Sequence, residues 1–127
     1  MRSMALLGAI SALGATYALA APTERAWPEL GVETEIMWPQ RNIRNFEADE
    51  ERGVWLEDQQ RRWYYARVTG ICPGLKFAQG IGFDTRGSSR FNRSSLIVVE
   101  GDLCALESLV TAVKPLPRKQ REKANKP

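Results

Sequence analysis

The spacing of apolar and polar residues in this chain is that of short strands from residue 41 to residue 113. Arg41 to Ala48 (RNIRNFEA) sets Ile43 and Phe46 among charges and predicts a first strand, its phase blurred. Asp49-Glu50-Glu51-Arg52-Gly53 is a polar turn that closes on glycine. Val54 to Glu57 (VWLE) begins a second strand and Asp58 to Arg61 (DQQR) reverses the chain. Arg62 to Thr69 (RWYYARVT) is then a third strand, rich in aromatic and β-branched residues. Alternation puts Val54 and Leu56 on one face and sets Trp63, Tyr65 and Arg67 against Tyr64, Ala66 and Val68. A strand apolar on both faces belongs in the middle of a sheet or under cover on both sides.

Gly70-Ile71-Cys72-Pro73-Gly74 breaks the third strand, and Leu75 to Gln79 (LKFAQ) has room for one helical turn. Ile81 to Thr85 (IGFDT) predicts a fourth strand with Ile81 and Phe83 on one face, and Gly87-Ser88-Ser89 turns the chain. Ser95 to Glu100 (SLIVVE) reads as a buried strand and Gly101-Asp102 as a tight turn. Leu103 to Val113 (LCALESLVTAV) could be helix or strand by propensity; the alternation of Cys104, Leu106 and Ser108 after a turn favours strand. Upstream, Ala21 to Gln40 holds three prolines and two tryptophans without a lasting period, an irregular lead-in with a short strand near Glu35–Met37. The expected fold is mainly β: one small antiparallel sheet of about five to six strands, with the option of rolling into a partial barrel, and at most one short helical turn.

The two ends follow different rules. Arg2 and the uncharged run Met4 to Leu19, ending in Ala18-Leu19-Ala20, have the form of an export signal cut after Ala20. The run is short for a membrane span, and no basic stop-transfer cluster follows it. The expectation is a mature protein that is soluble beyond the inner membrane, periplasmic or secreted. Lys114 to Pro127 (KPLPRKQREKANKP) is broken by prolines and nearly free of apolar residues, and predicts a disordered basic tail. Between these ends the 41–113 segment is the β domain, a single one in a chain of 127 residues.

Charge narrows the partners. Residues 21–113 carry 11 basic and 14 acidic side chains, whereas the tail from Lys114 has six basic residues and one acid. A body with that sign is not built for nucleic acid. The tail could make weak contact with an anionic envelope surface, although a solvated tail is the plainer reading. Two cysteines in an exported chain, Cys72 and Cys104, point to one structural disulfide. Without histidine a zinc site lacks ligands, and a redox pair would sit closer together; no metal or cofactor is expected.

Candidate chemistry is sparse. With no histidine the usual serine and cysteine triads are excluded. Paired carboxylates would have to come from Glu57, Asp58, Asp84, Glu100 or Asp102, most of which stand at strand ends where acids commonly form turns. Asp84-Thr85-Arg86-Gly87-Ser88-Ser89-Arg90 is a candidate binding loop, in which Asp84, Arg86, Ser88, Ser89 and Arg90 could meet a phosphate or carboxylate. The plainer alternative is a turn held internally, with Asp84 paired to Arg86 or Arg90 or capping at Gly87. Trp55, Trp63, Tyr64 and Tyr65 form an aromatic group on the central hairpin, usable as a sugar-binding surface or as ordinary core.

Trp63-Tyr64, Gly70-Ile71-Cys72-Pro73-Gly74-Leu75, Phe77-Ala78, the run Ile81 to Ser89 (IGFDTRGSS), and Cys104-Ala105-Leu106-Glu107-Ser108-Leu109 together resemble DUF6491, a family of small exported bacterial proteins of unknown function. The likeness spans about Ile43 to Leu109. Members of that family often carry two further cysteines, near Met37-Trp38-Pro39 and near Asn92, and this chain has neither. The resemblance implies export, a β-rich fold and Cys72–Cys104 as the remaining pair. It implies no activity. The expectation is therefore a non-enzymatic binding or structural module, with a hydrolase or lyase built on carboxylates and arginines around Asp84 and Arg86 as the alternative.

Overall fold

The computed structural model describes residues 26–124, so the export segment 1–20 lies outside the described residues. The elements in order are β1 (Ile36–Met37), a single helical turn α1 (Pro39–Asn42), β2 (Ile43–Asp49), β3 (Gly53–Asp58) and β4 (Trp63–Val68). A 3-10 turn (Leu75–Phe77) follows, then β5 (Gly82–Asp84), β6 (Arg90–Phe91), β7 (Leu96–Val99), β8 (Asp102–Ala112) and helix α2 (Arg118–Ala124). Six strands form one antiparallel sheet in the order β2-β3-β4-β8-β7-β5, curled into half a barrel, and β1 pairs with β6 beside it.

The expected β3–β4 hairpin is present, with Leu56 opposite Tyr64 and Trp55 opposite Tyr65. β4 lies inside the sheet between β3 and β8, which explains its apolar residues on both faces. Val54, Leu56, Tyr64, Ala66 and Val68 point into the core, where they meet Leu106, Leu109, Ile97, Val99 and Phe91.

β8 is the strand that makes the curl. Its first part, Asp102–Ala105, pairs with β7, and its later part, Leu106–Ala112, pairs with β4. A register shift between Arg67 and Val68 bends the ladder where it changes partners, as a bulge does. Beyond β7 the free side of β8 is covered by the lead-in: Thr34 N–H donates to Leu109 O at 2.9 Å and Gly31 N–H to Thr111 O at 2.8 Å. An otherwise open edge is closed this way.

The structure differs from the sequence reading in several places, among them the helical content: α1, the 3-10 turn and α2 stand where at most one short helical turn was expected. The first strand starts at Ile43 rather than Arg41, because Trp38 adopts a left-handed conformation and Pro39 opens a helical turn. The β7–β8 turn falls on Glu100-Gly101, both with positive φ, so Asp102 already belongs to β8. Arg90–Phe91 forms β6, a strand too short for any periodicity to reveal. The segment Arg118–Ala124, expected to be disordered, is a helix; it has no buried residue, and Arg118 and Glu122 pair along it at 3.2 Å.

Candidate functional site

The candidate loop 84–90 is a turn organised by its own atoms, between β5, which pairs with β7, and β6, which pairs with β1. Thr85 O accepts from Ser88 N–H at 3.2 Å, and Arg86 and Gly87 between them both have positive φ. Asp84 Oδ1 accepts the backbone N–H of Arg86 at 2.8 Å, Ser88 Oγ accepts that of Arg90 at 2.9 Å, and Thr85 Oγ1 donates to Ser88 O. Asp84 therefore caps the turn, while the exposed Arg86 guanidinium makes no ion pair with it. Arg90 pairs instead with Glu35, at 3.3 Å. The loop is fastened to the lead-in by the β1–β6 ladder, by Trp38 N–H to Ser89 O at 2.8 Å, and by Gln40 Nε2 to Phe83 O at 3.2 Å.

The five candidate carboxylates do not converge. Asp84 lies opposite Leu96 on β7, whereas Glu100 and Asp102 are at the far end of that strand. Glu57 and Asp58 belong to β3, on the other side of β4 and β8. Asp58 is buried and engaged in its own hairpin: Oδ1 accepts from Gln60 N–H at 2.8 Å and Arg62 N–H at 2.9 Å, and Oδ2 accepts from Tyr64 Oη at 2.8 Å. Burial first, and then that hydrogen bond, push the Tyr64 hydroxyl well above the ordinary tyrosine range. Among the described residues no group of three or more His, Cys, Asp or Glu side chains could hold a metal ion.

The aromatic group divides between the two faces of the hairpin. Tyr64 joins the core, where Trp27 meets it edge-on at 5.1 Å. Trp55 and Tyr65 sit on the opposite face, ring centres 5.1 Å apart, both half-buried. Tyr65 Oη donates to Asp49 Oδ2 at 2.7 Å, and Arg52 holds the same carboxylate at 3.1 and 3.2 Å. Desolvation, followed by the Asp49 hydrogen bond, raises the Tyr65 hydroxyl as it does Tyr64. Gly53, beside them, leaves no room for a side chain, since a Cβ there would lie 2.4 Å from Tyr65 Oη and 2.8 Å from Ala66 O.

Arg121 completes this face, and nothing in the reading of the tail as disordered anticipated it. Its guanidinium carbon stands 4.9 Å from the Trp55 ring centre. Its Nη1 donates to Glu47 Oε1 at 2.7 Å and to Leu116 O at 2.6 Å, and its Nη2 to Ala48 O at 3.3 Å. The side chain keeps only 14% of its exposure, although the helix that carries it lies on the surface. The available signal was RKQREKA after Pro117, a run of good helix formers with Arg and Glu four apart.

Cys72 and Cys104 are joined in a buried disulfide between the loop after β4 and the first part of β8. Searches of curated proteins and of solved structures returned no match. A family model covers the whole of residues 1–127, and on that ground the chain belongs to DUF6491, a family of unknown function.

Proposed function

We propose that this chain is an exported, non-enzymatic binding or structural module of the bacterial periplasm. The observation that carries the reading is the employment of the motif's polar groups: Asp84, Ser88 and Arg90 are engaged in turn hydrogen bonds or the Glu35 ion pair. Groups fixed in that way suit a scaffold that presents a surface more than a centre that exchanges protons with a substrate. The buried Cys72–Cys104 bridge supports an oxidising compartment, in line with the signal-like Met4 to Leu19 run.

The test is fractionation of bacteria expressing the full chain, followed by capture on the mature protein. The expected results are an N-terminus at Ala21, a cross-linked Cys72–Cys104 peptide in a non-reduced digest, and saturable capture of an envelope component. A full-length chain with free thiols in the cytoplasm would sink the export half. Hydrolysis of an ester, peptide or glycan panel, lost on Asp84→Asn, would overturn the non-enzymatic half in favour of a carboxylate–arginine enzyme.

A further inference from the structure

The face formed by Glu47, Ala48 and Trp55 already holds a guanidinium, that of Arg121. A carboxylate at 2.7 Å, a backbone carbonyl at 3.3 Å and an indole face at 4.9 Å are the three kinds of partner that recognise this group. An ammonium has no planar fork to divide among them. We propose that this face is a recognition site for an arginine side chain of a polypeptide partner, and that Arg121 occupies it in cis as an exchangeable strap. The inference rests on the binding-module reading and names its site and ligand class.

The way α2 is attached supports exchange. The helix buries no residue of its own, so Arg121 is its main anchor to the sheet. Pro115 and Pro117 lie between it and β8, in a stretch without regular structure, so among the described residues no hydrogen-bonded ladder or helix ties α2 to the sheet. Open clefts flank the Arg121 side chain on both sides, about 240 Å³ against Phe46, Glu50 and Lys76, and about 360 Å³ against Asp49, Arg52 and Trp55. Departure of the strap would join them into one groove with Glu47 and Trp55 at its middle. The acidic excess of residues 21–113 favours a cationic segment there.

A tethered group competes at an effective concentration in the millimolar range, so an arginine arriving in trans must displace Arg121 first. The experiment titrates N-acetyl-L-arginine amide, whose blocked ends leave only the side chain, into wild type and Arg121→Ala. The readout is the indole N–H signal of Trp55, assigned by its absence in Trp55→Phe. The half-saturating concentration should fall about ten-fold in Arg121→Ala, and Glu47→Gln in that background should abolish the response. N-acetyl-L-lysine amide should bind at least several-fold more weakly. Equal half-saturation with and without Arg121, no saturable shift in either protein, or equal binding of the lysine probe would overturn the proposal. A chain ended after Lys114 provides a second variant; if it and Arg121→Ala both fail to fold, α2 is an integral element and no strap. Should the site fail while envelope capture persists, the module reading stands and only its location is lost.

Discussion

Tyr64 Oη donates to Asp58 Oδ2 at 2.8 Å across the end of the β3–β4 hairpin, while the other oxygen of Asp58 takes two N–H groups of the turn. One buried carboxylate thus closes the turn and satisfies a core hydroxyl. Asp58→Ala strands all three donors and should cost about 2–4 kcal/mol. Tyr64→Phe leaves Asp58 its two backbone partners and should cost about 1 kcal/mol. Urea unfolding of both variants measures the difference; equal losses would mean that the turn bonds contribute nothing.

The same tyrosine predicts a pH limit. Tyr64 and Tyr65 both hold their protons above the ordinary range, first through burial and then through Asp58 and Asp49. Unfolded, each ionises near pH of about 10. Below that pH both states keep the proton and the contribution to stability is fully present. Above it the unfolded chain releases protons that the folded chain retains, so stability falls as pH rises. Urea midpoints should decline from about pH 10 upward, and Tyr64→Phe should make the decline shallower. An unchanged slope in that variant would remove Tyr64 from the account.

The hairpins were legible in the sequence because their signals are local. VWLE and RWYYARVT are rich in aromatic and β-branched residues, and the polar DQQR run between them includes Asp58, the acid that closes the turn. What remained hidden depends on contacts far apart in the chain. β6 exists because Ile36 and Met37 arrive opposite Phe91 and Arg90, and Arg121 is placed by Glu47, which lies 74 positions away. Local composition described the tail correctly as poor in apolar residues. Arg121, with an acid, a carbonyl and an indole to meet, ties it to the sheet.

Gly53 should be intolerant of any side chain. Its backbone is not in the left-handed region, so alanine would ordinarily gain a little stability by restricting the unfolded chain. Here the added Cβ would press on Tyr65 and on the carbonyl of Ala66. Gly53→Ala should lose about 1–3 kcal/mol in urea or thermal unfolding. Measured in a Tyr65→Ala background, the same substitution should cost less but still something, because the Ala66 carbonyl remains in the way. Neutral behaviour of Gly53→Ala would show that this face has slack.

Asp84 and Arg86 would share a face, and could pair, if the strand ran on through both. The chain instead leaves β5 at Asp84 and turns left-handed at Arg86, with φ of 57°. The carboxylate consequently meets the N–H of Arg86, which any residue supplies, and not its guanidinium. Asp84→Ala should cost about 1 kcal/mol for the lost turn bond, and Asp84→Asn less, since its carbonyl oxygen can still accept. Arg86→Gln should be nearly neutral. Arg86→Gly removes the left-handed penalty at some cost in chain entropy and should fall between neutral and about 1 kcal/mol more stable. The double variant Asp84→Ala with Arg86→Gln should equal the sum of its parts within about 0.5 kcal/mol. Coupling above about 1 kcal/mol would instead mean that the two charges pair in solution and that the turn is held by its side chains.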